Sequence, residues 1–89
     1  MMPTISWFYG IAIRMYARDH PPPHFHAVYS EHEAFVSIDT GEVIEGGLPK
    51  RAARLVKEWT LARQDQLREN WRRARMGVPL EKIAGLDAD

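Results

Sequence analysis

The sequence predicts an α+β fold, in which a small antiparallel β-meander of three to four strands packs against a C-terminal helix or helix pair. Two observations support this class. The first half of the chain alternates apolar and polar residues with period two, and the second half repeats apolar residues at offsets of three and four. With 89 residues the chain can build one small core, so we treat residues 1–89 as a single domain.

The strands are predicted between about residues 5 and 46. Large apolar side chains occupy the odd positions of ISWFYGIAIRMY, which predicts a first strand over 7–17. HFHAVYS predicts a second strand over 24–30, and EAFVSID predicts a third over about 33–39. DTGE favours a turn, after which EVIEG returns as a short fourth strand.

A helical segment is predicted over about 49–76, after the GGLP breaker. Its apolar residues form one stripe, and Pro49 suits the first turn of a helix. We expect a bend or break near residues 63–65, because a straight helix of about 40 Å would overhang strands of about 20 Å. Gly77 is expected to end the helix, and residues 77–89 form a C-terminal tail.

Composition limits the possible functions. The formal net charge is zero, so no overall charge draws the protein to nucleic acid or to a membrane. The charge is uneven, since residues 50–75 carry +6 and residues 1–49 carry −4. No cysteine is present, which excludes disulfides and thiolate metal sites. With no signal-peptide pattern and no apolar run of about 18 residues, we expect a soluble cytoplasmic protein.

Three of the four histidines lie in the segment DHPPPHFH. His24 and His26 could supply two metal ligands from one strand face, with His20 or His32 as a third. They could instead act as acid and base in attack of a ribose 2′-hydroxyl on its phosphate, with Asp19 orienting His20. The simplest interpretation is that the histidines fill the solvated face of a strand after a rigid proline turn, and that Asp19 caps this turn.

These three interpretations stay open at the level of sequence. The candidate catalytic residues are Asp19, His20, His24 and His26. We assign no metal ligand and no cofactor.

Basic side chains surround Trp71 in the second part of the helical segment, where acidic neighbours are few. Guanidinium groups beside an indole can bind RNA or an acidic protein partner. The same pattern is also typical of a solvated helix face with no partner. Trp59 and Trp71 both lie on the apolar stripe and are predicted core side chains. The candidate binding residues are Arg68, Trp71, Arg72, Arg73 and Arg75.

The chain resembles the domain-of-unknown-function 4160 family of small bacterial proteins over residues 2 to about 83. The resemblance rests on MPTIS.FYGI.I.MY, DHPPPHFH, TGEV.EG.LP and ENW..A..G, in this order and spacing. Members of that family are uncharacterised, and many are encoded beside a small protein of the domain-of-unknown-function 2442 type. Such pairs have been proposed to be toxin–antitoxin-like modules. The resemblance therefore implies a small cognate protein partner, and a candidate site in the DHPPPHFH segment.

Three candidate functions of different classes follow. The first is a component of a two-protein toxin–antitoxin-like module that acts on RNA through His24 and His26. The alternative is a non-catalytic protein-binding or regulatory module whose basic helix docks an acidic partner. A divalent metal site at the histidines is the third. The sequence leaves the oligomeric state and the strand order open.

Overall fold

A computed structural model describes residues 4–88 of the chain. Its strands are β1 Thr4–Phe8, β2 Ile11–Arg14, β3 His24–Tyr29, β4 His32–Ser37 and β5 Val43–Gly46, its helices are α1 Lys50–Ala62 and α2 Gln64–Met76, and a 3₁₀ turn covers Leu86–Ala88. The predicted α+β class is confirmed. Within the described residues, neither helix is long and apolar enough to cross a membrane.

All five strands form one antiparallel sheet, and they follow one another across it in chain order. This is the predicted meander. It has one strand more than the three to four expected, because the segment predicted as the first strand contains a turn.

The prediction of a single strand over 7–17 is wrong, since the chain reverses at Tyr9–Gly10. Both residues of this turn have positive φ, 50° and 79°, as a two-residue hairpin turn requires. The turn pairs Phe8 with Ile11, so an even-numbered residue before the turn lies on the same face of the sheet as an odd-numbered residue after it. Phe8 is therefore fully buried, whereas Trp7 is 63% exposed.

The hydrophobic core lies between one face of the sheet and the two helices. Trp59 of α1 is fully buried, with its ring centroid 5.2 Å from that of Phe8 and 5.6 Å from that of Phe25. This confirms the prediction that Trp59 is a core side chain. Leu67 of α2 is also fully buried in this cluster, so both helices contribute to the core.

The helical segment breaks at Arg63, within the predicted range. The Arg63 guanidinium donates hydrogen bonds to the carbonyl oxygens of Ala84 at 2.7 Å and Gly85 at 3.0 Å. The C-terminal tail therefore binds the junction between the helices. At the far end of α2, Gly77 adopts the left-handed conformation with φ of 73°, which confirms it as the C-cap.

The tail folds back along the domain. The buried side-chain amide of Asn70 donates to the carbonyl oxygen of Glu81 and accepts from its backbone N–H, both at 2.8 Å. The backbone N–H of Ile83 donates to the carbonyl oxygen of Ile5 at 2.8 Å, and the Ile83 side chain is buried. The tail thus adds hydrogen bonds to α2 and to the edge strand β1.

Candidate metal centre

Asp19 lies in the loop between β2 and β3, beside the C-terminus of α2. The preceding Arg18 donates its backbone N–H to the carbonyl oxygen of Ala74 at 3.1 Å, which fastens the loop to the helix. Asp19 Oδ1 accepts a hydrogen bond from the backbone N–H of His20 at 3.1 Å. The other carboxylate oxygen, Oδ2, contacts two histidines of the sheet.

His24 is the first residue of β3, directly after the three prolines. Its Nδ1 lies 2.8 Å from the Pro22 carbonyl oxygen, and since a carbonyl can only accept, Nδ1 carries the proton. The ring contacts Phe35 and Trp71, each with a centroid distance of 5.4 Å, and is 5% exposed. Nε2 is buried 3.1 Å from Asp19 Oδ2, yet it takes part in no hydrogen bond within the described residues.

His26 lies two residues further along β3, on the predicted same face. Its Nε2 is 3.2 Å from Asp19 Oδ2, and its Nδ1 is 3.1 Å from Glu33 Oε2. The ring also contacts Phe35 at 4.3 Å and the edge of Tyr16 at 4.4 Å between centroids. Both nitrogens of His26 therefore face carboxylate oxygens.

The interpretation of His24 and His26 as solvated side chains is wrong. They lie on the sheet face opposite to Phe25, away from the main core, but aromatic side chains cover them there. The proline segment contributes a carbonyl oxygen to this arrangement as well as a stiff connection. It thus forms part of the site.

The nitrogen and oxygen atoms of three residues converge. One ligand atom from each of Asp19, His24 and His26 lies within 4.8 Å of the others. The other two histidines do not join them: the His20 side chain is 92% exposed, and His32 pairs with its neighbour Glu31. The third member of the cluster is therefore a carboxylate, and not His20 or His32 as the metal interpretation supposed.

Burial and charge act in opposite directions on Asp19. Desolvation raises the pKa of its carboxyl group, but the hydrogen bond from His26, the charge of His24 and the backbone N–H of His20 lower it more. The net effect is a lowered pKa. Asp19 is therefore an anion at neutral pH, the form that binds a cation.

The predicted binding residues do not form one free basic patch. Arg72 and Arg73 both donate to Glu69, at 2.7 and 2.9 Å, and Arg68 donates to Asp39 at 3.3 Å. The two guanidinium groups lower the pKa of the Glu69 carboxyl to about 2. The expectation that few acidic neighbours compensate this part of the helix is wrong for these three arginines.

Trp71 connects the two predicted sets of residues. Its partly buried ring contacts His24, and the Arg75 guanidinium lies 5.9 Å from the centroid of the same ring. Arg75 has no ion pair with another residue of 4–88. Trp71 thus packs beside the histidine cluster at the margin of the core, where the sequence predicted a core position.

Sequence reasoning missed two charged residues of the site. Arg14 is the direct cross-strand neighbour of His26 on β2, and Glu33 on β4 lies two residues from Phe35, the direct partner of His26. Both positions follow from strand register, which the sequence leaves undetermined. The signal in the sequence is the polar turn at Ser30–Glu31 between two strand patterns; in the structure this two-residue turn pairs Tyr29 with His32 and thereby fixes the register of β3 with β4.

The fold and the cluster define a small α+β protein with two histidines and one carboxylate gathered on a meander sheet. Residues 10–72 match the family described as domain of unknown function (DUF4160), and since the match covers more than half of the chain, the protein belongs to this family. The matched range contains Asp19, His24 and His26. No curated protein and no solved structure matches the chain.

Proposed function

We propose that the protein binds one divalent transition-metal ion, zinc in the first instance, and that this centre carries out metal-assisted hydrolysis. The ligands are Asp19 Oδ2, His24 Nε2 and His26 Nε2. The observation that carries the proposal is the buried His24 Nε2, which lacks a hydrogen bond and lies 3.1 Å from a carboxylate oxygen. Such an unsatisfied atom costs about 1–3 kcal/mol, and a bound metal ion would satisfy it.

The partners of the second ring nitrogens support the same proposal. Imidazoles that bind metals usually donate their other N–H to a carbonyl or carboxylate oxygen, which fixes the tautomer and the ring orientation. His24 Nδ1 donates to the Pro22 carbonyl oxygen, and His26 Nδ1 donates to Glu33 Oε2. Both Nε2 atoms are thereby directed to Asp19: His24 Nε2 has its lone pair available, and a bound metal ion would take the place of the proton that His26 Nε2 donates to Asp19.

The number and spacing of the ligands favour an open centre. Catalytic zinc sites have three protein ligands and keep a fourth position for water or substrate. In a tetrahedron with bonds of about 2.05 Å, neighbouring ligand atoms are about 3.3 Å apart, close to the 3.1 and 3.2 Å between Asp19 Oδ2 and the two imidazoles. The ion would lower the pKa of a water ligand to about 7 and polarise a substrate oxygen.

Metal-free acid–base catalysis has less support. An acid and a base that cleave RNA must approach opposite sides of the scissile phosphate, each with a free ring nitrogen. Here Nε2 of His24 and Nε2 of His26 both contact the same oxygen of Asp19. The RNA target, which rests on the chemistry of the histidines, and the two-protein module, which rests on the family resemblance, stay predictions.

The proposal is tested by removing metals from the purified chain with a chelator and then titrating zinc into it. Isothermal calorimetry measures the affinity and the number of zinc ions bound. We expect one zinc ion per chain, and an affinity at least tenfold lower in Asp19→Asn, which keeps the shape of the side chain. His20→Ala is the matched control, because His20 neighbours the site but is exposed. Circular dichroism verifies that each variant is folded.

Two results would contradict the proposal. One is the absence of zinc binding by the folded wild-type chain. The other is an equal loss of affinity in His20→Ala and in Asp19→Asn, since the ion would then be bound by the surface loop.

A further inference from the structure

Arg14 ends β2 directly opposite His26 of β3, so both side chains lie on the same face of the sheet. Direct cross-strand neighbours have Cβ atoms about 4.5–5.5 Å apart. The Arg14 side chain therefore begins next to the ligand cluster. It is partly buried, and its Nε atom is fully enclosed.

No acceptor among residues 4–88 satisfies this Nε–H. The two carboxylates of the site are engaged elsewhere, since Asp19 contacts the histidines and Glu33 accepts from His26. Arg14 forms no ion pair with another described residue. A buried donor of a permanently charged group without an acceptor is costly. Since Nε itself is enclosed, an anionic ligand would bind the terminal Nη groups of Arg14, which form no hydrogen bond with another residue of 4–88.

We propose that the substrate of the metal centre is a phosphate ester whose oxyanion is bound by Arg14. This inference rests on the proposed metal site. A guanidinium group donates two parallel hydrogen bonds to two oxygens of a phosphate, and a tetrahedral phosphate has a further oxygen for the metal ion. The ion and Arg14 together neutralise an anion that Asp19 alone would repel.

The reaction needs water alone as co-reactant. The oxygen of a water molecule bonds to phosphorus, the bond from phosphorus to the ester oxygen breaks, and the departing alcohol takes up the proton that the water loses. Arg14 contributes by binding the non-bridging oxygens, whose charge it balances throughout.

Phosphate binding to the cobalt-loaded protein tests this inference. Inorganic phosphate is titrated by calorimetry into wild type, Arg14→Gln and Arg14→Lys, each with its cobalt affinity measured first. We expect phosphate to bind Arg14→Gln at least tenfold more weakly than wild type. Arg14→Lys keeps the charge but cannot donate two parallel hydrogen bonds, so its phosphate affinity should lie between the two. Arg51→Gln is the control, because Arg51 is exposed on α1, which packs on the opposite face of the sheet.

The outcomes separate this inference from the metal site. If the wild-type chain binds neither zinc nor cobalt, both proposals are overturned. If it binds cobalt, but phosphate binds Arg14→Gln as tightly as wild type, only the role of Arg14 is overturned. Acetate that binds as tightly as phosphate would overturn the phosphate ester as substrate class. Should Arg14→Gln fail to fold, equal phosphate affinities of Arg14→Lys and wild type would likewise overturn the inference.

Discussion

Nδ1 of His26 lies 3.1 Å from Oε2 of Glu33, although the two residues are not direct partners across β3 and β4. The register pairs His26 with Phe35 and Glu33 with Val28, so the Glu33 side chain reaches diagonally across the ladder. Its carboxylate accepts the Nδ1–H and holds the ring with Nε2 towards Asp19. Glu33 is thus a positioning residue of the proposed metal centre without being a ligand.

Glu33→Ala is expected to lower zinc affinity by about 10- to 100-fold, because the His26 ring loses the partner that fixes its orientation. Competition with a chromophoric chelator measures the change. Glu31→Ala is the matched control, since Glu31 lies on the adjacent turn and is exposed. Equal affinities of Glu33→Ala and Glu31→Ala would contradict the positioning role.

Leu67→Ala is expected to lower the free energy of unfolding by about 2–5 kcal/mol, because Leu67 is fully buried between α2 and the sheet. Leu61→Ala removes the same atoms from a side chain that is 51% exposed, and is expected to change stability by about 0.5 kcal/mol or less. Urea denaturation measures both values. Similar losses in the two variants would contradict the packing of α2 on the core.

The pair formed by Glu69 with Arg72 and Arg73 predicts a pH-dependent contribution to stability. The folded-state pKa of Glu69 is about 2, below its ordinary value of 4.5, so the contribution is present above pH 4.5 and is lost as the pH falls through 2. Wild type should therefore melt a few degrees at most above Glu69→Gln at pH 7, and the difference should vanish near pH 2.

Thermal melts of both proteins over this pH range make the comparison. Glu58→Gln is the control, because Glu58 is exposed on α1 and forms no ion pair with another residue of the described range 4–88. A difference between wild type and Glu69→Gln that stays constant from pH 7 to pH 2 would argue against the ion pairs as its cause.

Asn70→Asp is expected to release the C-terminal tail. The substitution removes the amide that donates to the Glu81 carbonyl oxygen and leaves two acceptors facing each other in a buried position. Limited proteolysis should cut within residues 77–88 at least several-fold faster than in wild type. Gln66→Glu makes the same change of charge at an exposed position of α2, and should leave the cleavage rate unchanged.

Local chemistry made much of the fold predictable. The break at Arg63 followed from the length of the helical segment against the sheet, and the end of α2 followed from the need for a residue with positive φ at Gly77. The hairpin in the first strand was missed because apolar residues continue at odd positions across the Tyr9–Gly10 turn. A glycine inside an alternating pattern was the available signal.

The candidate site was predictable in part. The spacing of two along a strand correctly predicted that His24 and His26 share a face. The sequence also singled out Asp19, but did not bring its carboxylate to both imidazoles, because that contact depends on how the loop is fastened to Ala74 of α2. Glu33 and Arg14 enter the site through strand register, which a pattern along one strand does not specify.

The most direct test of the metal centre is a crystal structure of the chain grown with zinc, with anomalous scattering data collected at the zinc absorption edge. We predict one anomalous peak at about 2.0–2.2 Å from Asp19 Oδ2, His24 Nε2 and His26 Nε2. An anomalous peak at the exposed His20 or His32, with none at the three predicted ligands, would contradict the proposed metal centre.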